Sequence, residues 1–267
     1  MSGRAGPLNA TARHIIVGDV HGNGRGVEQL LDLASYDPSG DILIFVGDYN
    51  DHEPDLGCSV SRLIEQLLRL RAAAPGRVIF VRGNHDMWFA QWLEQGGDPP
   101  GSWMIQGGRE TLESYGISDV CASRDLRDKV PLTHQDFFSR QIDPYYLDDQ
   151  VIVVHGGFTT ERQMGMIAGG GQLDKGDLEE LIWDRQFIFA EDESSHILYR
   201  QYFGNRYLVT GHSPRGPYVN PRNDKWILID SPLKGQQLCA AIIQGDRRLE
   251  LISTTVPQTL RAASFLG

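Results

Sequence analysis

The sequence has little cysteine, and its three cysteines form no close pair. Cys58, Cys121 and Cys239 are an odd number, and no Cys-x-x-Cys occurs. A disulfide framework and a cysteine-rich zinc site are therefore not expected, and a reducing compartment is the default.

The sequence also lacks long apolar runs. No stretch approaches the roughly 20 apolar residues that cross a bilayer. Residues 1–13 are polar and contain no apolar core of the kind that a signal peptide needs. These absences predict a soluble, cytoplasmic protein.

An excess of positive charge is absent as well. The chain has 25 Lys and Arg against 35 Asp and Glu, a formal net charge of -10. Nucleic acids and anionic membranes would repel such a chain, so neither is expected as a partner, whereas multivalent cations fit. With 267 residues, 40% hydrophobic and 22% charged, the chain is globular and suits one large α/β domain or two small ones.

What the sequence does contain is a regular alternation of apolar strands and amphipathic helices. This alternation is typical of βαβ units and predicts a largely parallel start to the sheet. Residues 96–108 are interpreted as a loop, and Gly169-Gly170-Gly171 as a linker rather than a phosphate cradle. The predicted strands are 14–17, 41–48, 77–82, 150–154, 207–210, 226–230 and 237–244, the last two antiparallel; the predicted helices are 25–36, 59–74, 87–95, 109–115, 133–141 and 175–183.

Polar side chains follow five of these strands, at the point where each strand ends. In open α/β sheets the ligand site lies beyond the carboxyl ends of the strands, and the adjacent glycines allow sharp turns and close approach of the backbone. Five such junctions in one chain indicate a common site. The residues are Asp19 with His21, Asp48 with Asp51, Asn84 with His85, His155, and His212.

The chemistry of these side chains restricts the metal. Imidazole and carboxylate groups without thiolate suit manganese, iron or zinc. There are enough of them to hold two ions that share one aspartate. Two such ions clamp the attacking and leaving oxygens of an in-line phosphoryl displacement, and they acidify a bridging water towards hydroxide that can attack phosphorus.

Five segments carry a resemblance to calcineurin-like metallophosphoesterases: Gly18-Asp19-Val20-His21-Gly22, Gly47-Asp48-Tyr49-Asn50-Asp51, Gly83-Asn84-His85-Asp86, His155-Gly156-Gly157 and Gly211-His212. Within that family the chain resembles the bacterial and phage serine/threonine phosphoprotein phosphatases, with further similarity at residues 111–116, 181–185 and 229–230. The resemblance runs from about residue 14 to 244. It implies an α/β fold in which central mixed β-sheets are flanked by helices, an α/β/β/α sandwich. It also implies a catalytic domain over 14–256, with flexible tails at 1–13 and 257–267.

The same resemblance implies a role for each residue. Asp19 and His21 would bind the first metal, Asp48 would bridge, and Asn84, His155 and His212 would complete the second. The two divalent ions would be manganese in the first place, with iron or zinc as alternatives.

The remaining implied roles concern catalysis and substrate. His85 would be the general acid that protonates the leaving alkoxide, oriented by Asp51, because a carboxylate beside imidazole raises its pKa and fixes its tautomer. Arg82 and Arg185 match the positions of phosphate-binding arginines. The alternative for each arginine is a surface ion pair.

One departure affects the substrate site. The family motif continues Asp-Arg-Gly-Pro, but this chain has Asp51-His52-Glu53-Pro54-Asp55, so His52 stands where the family has an arginine that binds phosphate. Glu53 and Asp55 would repel an anionic substrate if they face the pocket. A second departure is Asp230-Ser231-Pro232 in place of Asp-Thr-Gly.

Three functions follow as alternatives. The first is a phosphate monoesterase that uses a dimetal-bridging hydroxide and acts on a phosphorylated protein, as a serine/threonine phosphatase does. The second is a hydrolase of a dinucleoside polyphosphate or a small phosphorylated metabolite. Asp51 argues against the symmetrical diadenosine tetraphosphate hydrolases, and His52 against an ordinary protein phosphatase. The third is a catalytically weak, metal-bound binding protein. Whether residues 96–108 and 158–171 form a lid stays open.

Overall fold

The strands of the described residues form two mixed sheets. The computed structural model describes residues 4–5, 12–52, 57–96, 101–117, 124–244 and 248–255. The strands are β1 (Arg4–Ala5), β2 (His14–Val17), β3 (Ile42–Phe45), β4 (Val78–Phe80), β5 (Tyr146–Leu147), β6 (Val151–Val153), β7 (Tyr207–Thr210), β8 (Tyr218–Asn220), β9 (Asn223–Leu228), β10 (Cys239–Gln244) and β11 (Arg248–Ser253). One sheet has the order β11-β10-β2-β3-β4 and the other β1-β5-β6-β7-β9-β8.

Helices connect these strands. The α-helices are α1 (Gly24–Leu33), α2 (Val60–Ala73), α3 (Asn84–Gln95), α4 (Gly101–Trp103), α5 (Arg109–Ser114), α6 (Leu132–Asp136), α7 (Glu161–Ala168), α8 (Lys175–Trp183) and α9 (Glu193–Phe203). Two π-helical segments, Met104–Gly108 and Phe137–Gln141, and two 3-10 segments, Arg124–Lys129 and Phe187–Phe189, complete the set. Among the described residues, no helix has both the length and the apolar character that a membrane span requires.

The five-stranded sheet begins with parallel strands, as the sequence predicts. β2 pairs with β3 and β3 with β4, all parallel, and α1 and α2 make the two crossovers. β10 then adds antiparallel on the other side of β2. These strands are continuous apolar runs because both of their faces are covered.

Alternate residues of each buried strand face different layers. In β2, Ile15 and Val17 pack among the residues of α1 to α3, whereas Ile16 packs with residues of the other sheet such as Val153 and Val209. A third apolar cluster fills the space between the six-stranded sheet and α7 to α9. The molecule is thus a helix–sheet–sheet–helix sandwich, and the predicted fold class is confirmed.

The topology brings the carboxyl ends of six strands to one edge. β2, β3 and β4 are mutually parallel in one sheet, and β6, β7 and β9 are mutually parallel in the other. The two sheets meet there, because His155 Nδ1 lies 2.9 Å from the Val46 carbonyl and the His212 amide donates to Asp19 Oδ2 at 3.0 Å. All the turns that carry the candidate site residues therefore lie together.

Several predicted elements differ from the structure. Helix α3 begins at Asn84 rather than Met87, because Asn84, His85 and Asp86 form its first turn. The segment 96–108, interpreted as a loop, is helical from Gly101. The strands predicted at 226–230 and 237–244 lie in different sheets and do not pair with each other. Helices α7 and α9 and strands β1, β5, β8 and β11 were not predicted at all. Strand β1 lies within the predicted tail 1–13 and pairs with β5, and the predicted tail 257–267 lies outside the described residues.

The layered core predicts a large penalty for truncating a side chain between the sheets. Ile44 is fully buried in that layer, so Ile44→Ala should lower the free energy of unfolding by about 2–5 kcal/mol in urea titrations. Leu33→Ala is the control, since Leu33 is 59% exposed and should change the free energy by less than about 0.5 kcal/mol. Equal effects of the two substitutions would contradict the assignment of this layer.

Candidate active site

Asp48 lies at the centre of the polar cluster beyond the strand ends. It follows β3, is 2% exposed, and accepts a hydrogen bond at Oδ1 from the His85 amide at 3.0 Å. Its carbonyl accepts from the amides of Val20 at 3.1 Å and His21 at 2.8 Å. Asp48 thus joins the turns after β2, β3 and β4 through its side chain and its backbone.

Two groups of possible metal ligands share Asp48. The first is Asp19, His21 and Asp48, and the second is Asp48, His155 and His212; in each group the ligand atoms lie within 4.8 Å of one another, and all are buried. Asn84 lies beside the second group, with Oδ1 3.1 Å from His155 Nε2. The six residues predicted as metal ligands are therefore brought together around one shared carboxylate.

The orientation of two imidazoles is fixed by backbone carbonyls. His21 Nδ1 lies 2.8 Å from the Asn50 carbonyl, and His155 Nδ1 lies 2.9 Å from the Val46 carbonyl. Since a carbonyl only accepts, each Nδ1 donates and each neutral ring keeps an unprotonated Nε2. A nitrogen lone pair in this orientation is what a metal ligand requires.

The Nε2 lone pairs of the candidate ligands face other hydrogen-bond acceptors. This arrangement shows whether the cluster suits a cation. His155 Nε2 lies 3.3 Å from Asp48 Oδ2 and 3.1 Å from Asn84 Oδ1, and His212 Nε2 is buried without a hydrogen-bond partner among the described residues. Acceptors that converge without a donor need a proton or a metal ion between them. The donor set therefore fits divalent cations.

The pKa shifts of the cluster also indicate that its buried carboxylates lack a compensating positive charge. Burial opposes the charged form of His155, but the carboxylates of Asp48 and Asp19 outweigh it and raise its pKa to about 10. Burial raises the pKa of Asp19 to about 6, and burial lowers the pKa of His212 to about 3. Without metal, the cluster holds a proton on His155 in place of a cation.

Backbone strain is concentrated in this cluster. Of the five non-glycine residues with positive φ among the described residues, four are candidate site residues: His21, Asp48, Asp51 and His212. Left-handed backbone costs such residues on the order of 1–3 kcal/mol each, and it persists only where the surroundings enforce it. The fold therefore maintains these four conformations against their local preference.

Two glycines leave room for the carboxylates of Asp48 and Asp19. A Cβ on Gly83 would lie 2.0 Å from Asp48 Oδ1, and a Cβ on Gly211 would lie 2.0 Å from Asp19 Oδ1. Any larger residue would displace a carboxylate. The glycines of the motifs are thus explained by close approach of side chains rather than by turn conformation alone.

His85 and Asp51 form a buried pair next to the candidate metal ligands. His85 Nδ1 lies 2.7 Å from Asp51 Oδ2, and the His85 ring meets the His21 ring edge-on at a centroid distance of 5.2 Å. Asp51 is 0% exposed. The carboxylate accepts from His85 Nδ1–H, which leaves Nε2 as the ring atom available to a substrate.

Two further residues hold Asp51, and sequence reasoning missed both roles. Trp103 Nε1 donates to Asp51 Oδ2 at 2.7 Å, and Thr111 Oγ1 donates to Asp51 Oδ1 at 2.6 Å. The Asp51 amide in turn donates to Thr111 Oγ1 at 2.9 Å. Thr111 lies in a segment of noted similarity, but Trp103 lies in a segment interpreted as loop and carried no signal.

Two more buried carboxylates belong to the cluster. Asp86 accepts at Oδ2 from the Asp48 and Gly83 amides and at Oδ1 from the Tyr49 amide, at 2.8–2.9 Å. Burial, followed by the Asp48 charge, raises its pKa to about 7. Asp230 is 6% exposed, and burial together with Asp19 raises its pKa well above its usual range. Both residues lie in motifs named in the sequence analysis, but the sequence suggested a role for neither.

The three predicted substrate-binding residues differ in their surroundings. Arg185 is exposed and donates from Nη1 to the His212 carbonyl, so it lies at the edge of the second ligand group. His52 is 7% exposed, and its ring is the nearest group to a Cβ built on Gly22, at 2.9 Å. Glu53 and Asp55 lie outside the described residues.

Arg82 points elsewhere. It is 7% exposed, Nη2 donates to the Phe138 carbonyl at 3.0 Å, and Nε has no hydrogen-bond partner among the described residues. It lines a cavity of about 740 Å³ with residues of α3 and α8, and no candidate metal ligand lines that cavity. Arg82 is therefore not a surface ion pair, and the structure does not bring its guanidinium into contact with the other predicted residues.

Aromatic rings border the cluster. Trp88 contacts His85 edge-on at 5.1 Å between centroids and Trp183 at 5.2 Å, and Trp183 contacts His212 at 5.5 Å. Trp183 is 37% exposed. The rings cover the side of His85 and His212 that faces α3 and α8, and they limit the access of water there.

The close approach at Gly211 yields a test of the metal assignment. Gly211→Ala should displace Asp19 and weaken manganese binding about 10- to 100-fold, the range typical of a disturbed metal ligand. Gly176→Ala is the control, because its nearest neighbour would be an ordinary contact at 3.4 Å. Isothermal titration with manganese measures both variants, and unchanged affinity in Gly211→Ala would contradict the assignment.

Comparison with known proteins concerns the family and the fold. The family model for calcineurin-like phosphoesterases matches residues 12–226. The catalytic subunit of serine/threonine-protein phosphatase 6 of Drosophila melanogaster is 26% identical over 173 residues, 63% of this chain but only 48% of that protein. The match therefore spans about half the length of this relative.

Solved structures agree on the fold. A putative diadenosine tetraphosphatase superposes with a TM-score of 0.60 at 20% identity, over 96% of this chain and 99% of the other. A protein serine/threonine phosphatase from Saccharomyces cerevisiae superposes with a TM-score of 0.60 at 16% identity, over 97% and 85%. At these identities the likeness concerns the fold alone. The family model, which spans most of the chain, shows that this protein belongs to the calcineurin-like phosphoesterase family of hydrolases.

Proposed function

We propose that the chain hydrolyses phosphate monoesters of alcohols, with phosphoserine and phosphothreonine of proteins as the substrate class. The observation that carries the proposal is the His85–Asp51 pair, at 2.7 Å and with Asp51 fully buried. A fixed proton donor beside a phosphoesterase centre is needed only when the leaving group is a strong base.

The basicity of the leaving group distinguishes the candidate substrates. Serine and threonine leave as alkoxides, which are strong bases and depart only when a proton is supplied. A dinucleoside polyphosphate releases a nucleoside phosphate, whose phosphate oxygen is a weak base and departs without a proton. The pair therefore favours an alkyl phosphate over the dinucleoside polyphosphate alternative.

Three partners keep the proton donor in place. Trp103 donates to Asp51 Oδ2, the oxygen that His85 also contacts, and Thr111 donates to Oδ1. The carboxylate therefore cannot rotate away without losing buried hydrogen bonds. The His85 amide donates to Asp48 Oδ1, which fixes the backbone of the imidazole relative to the shared carboxylate. The ring thus meets the leaving oxygen in a preset orientation.

Two divalent ions are part of the proposal. Asp19, His21 and Asp48 would hold one, and Asp48, Asn84, His155 and His212 the other, with manganese first and iron or zinc as alternatives. When bound, the ions would polarise phosphate oxygens and lower the pKa of a water molecule. Arg185, at the edge of the second group, would add a guanidinium for the substrate phosphate.

The similarity to a named serine/threonine phosphatase supports the substrate class. That relative is 26% identical over 63% of this chain. The structural likeness to a putative diadenosine tetraphosphatase supports no second substrate, because 20% identity concerns the fold.

His85→Ala tests the proposal directly. With manganese, we expect turnover of a phosphoserine peptide to fall about 10²- to 10⁴-fold, the usual contribution of general acid catalysis. Turnover of p-nitrophenyl phosphate should fall much less, since the phenolate leaves without a proton, and metal content measured by atomic emission should stay the same. Equal losses on both substrates would contradict the assignment of His85.

His52→Arg tests the departure from the family motif. A guanidinium in that position would add a phosphate-binding group, so the KM for a phosphoserine peptide should fall while kcat changes little. His52→Gln is the control, because it removes the imidazole without adding charge. A KM that is unchanged or higher in His52→Arg would mean that residue 52 does not face the phosphate.

A further inference from the structure

A second cavity lies at the opposite end of the six-stranded sheet from the candidate active site. Its volume is about 420 Å³, and it is lined by α9, the residues between α9 and β7, the turn between β8 and β9, and the start of β9. β7 starts at Tyr207, next to the cavity, and ends just before Gly211-His212. The same strand thus runs from the cavity to the metal ligands, and no part of the proposed reaction uses the cavity.

The lining is basic in an acidic protein. Four of its twelve residues are Lys or Arg, compared with 25 of 267 in the whole chain. The two acidic residues are Glu193 and Asp224, and Glu193 is paired with Arg200 at 3.1 Å. Such a concentration of positive charge around one cavity favours an anionic occupant.

The basic side chains differ in how firmly they are held. Arg206 donates from Nη1 to the Phe203 carbonyl at 2.9 Å and from Nε to the Asp148 carbonyl, so its guanidinium has a fixed position. Lys225 Nζ donates to the Asn205 carbonyl at 2.7 Å. Arg222 makes no side-chain hydrogen bond or ion pair with a described residue, and it lies on the turn that borders the cavity. The cavity thus combines basic side chains whose position is fixed by hydrogen bonds with one, Arg222, that has no such bond to a described residue.

The strongest indication is a histidine without partners. His196 lines the cavity, is 5% exposed, and neither ring nitrogen has a hydrogen-bond partner among the described residues. Its ring packs against Trp226 at a centroid distance of 4.4 Å with the planes tilted by 33°, and Trp226 Nε1 is also buried with no hydrogen-bond partner among the described residues. Buried polar nitrogens of this kind are rare in folded proteins, and each calls for a partner such as a ligand, an ion or a water molecule.

We propose that this cavity binds a phosphate group, held by Arg200, Arg206, Arg222 and Lys225, with His196 as a further donor. Guanidinium groups match the geometry of phosphate oxygens, and an imidazole N–H supplies a donor at the buried end. The site is separate from the candidate metal centre and needs no metal. The phosphate is either the free ion or a group carried on a small organic molecule, since 420 Å³ accommodates both.

Equilibrium dialysis with radiolabelled inorganic phosphate tests the proposal on the full chain. Manganese-loaded protein should bind two phosphates, and metal-stripped protein should retain one. Arg200→Ala with Arg222→Ala should weaken the metal-independent site at least tenfold and leave turnover of p-nitrophenyl phosphate unchanged. The control is Arg62→Ala with Arg69→Ala, which removes the same charge from exposed positions on α2.

A second variant tests the histidine. His196→Phe keeps an aromatic ring on Trp226 but removes both nitrogens, so phosphate binding to metal-stripped protein should weaken without loss of p-nitrophenyl phosphate turnover. The proposal is overturned if metal-stripped protein binds no phosphate, or if both the arginine and the histidine variants bind it as the control does. Competition with 3-phosphonopropionate distinguishes the two sources, because tighter binding than phosphate indicates an organic ligand.

Discussion

The structure depends on a buried carboxylate, Asp48, that several parts of the chain approach at once. The amides of Val20 and His21 donate to its carbonyl, the His85 amide donates to its side chain, and its own amide donates to Asp86. These bonds hold the turns after three parallel strands together. Both groups of candidate metal ligands include Asp48, so the same residue that fixes the turns defines the centre of the site.

Assembling such a centre costs free energy, because it buries like charges together and strains the backbone. The charge of Asp48 adds to burial in raising the pKa of Asp19, and the charges of Asp19 and Asp48 add to burial in raising the pKa of Asp230. Four residues of the site also adopt a left-handed backbone. Buried like charges are tolerable only when cations neutralise them. Two divalent ions would supply that charge, and the sandwich of packed sheets supplies the rigidity that keeps the strained turns in place.

Local patterns were sufficient to predict the strand ends, the crossovers and the residues that gather beyond them. They failed where the partner comes from a distant part of the chain. Trp103 and Thr111 stabilise Asp51 from 52 and 60 residues away, and no spacing in the sequence reveals such contacts. The start of α3 was missed because its first turn carries polar side chains, and the position of Arg82 depends on the Phe138 carbonyl.

The central claim is that Asp48 serves two ions in one hydrolytic centre. Metal-stripped protein titrated with manganese, and assayed on p-nitrophenyl phosphate at each addition, tests it most directly. The account predicts no turnover without metal, full turnover after two ions per chain, and loss of both the second ion and the turnover in Asp48→Asn. Turnover that is complete at one ion per chain, or absent with two ions bound, would contradict it.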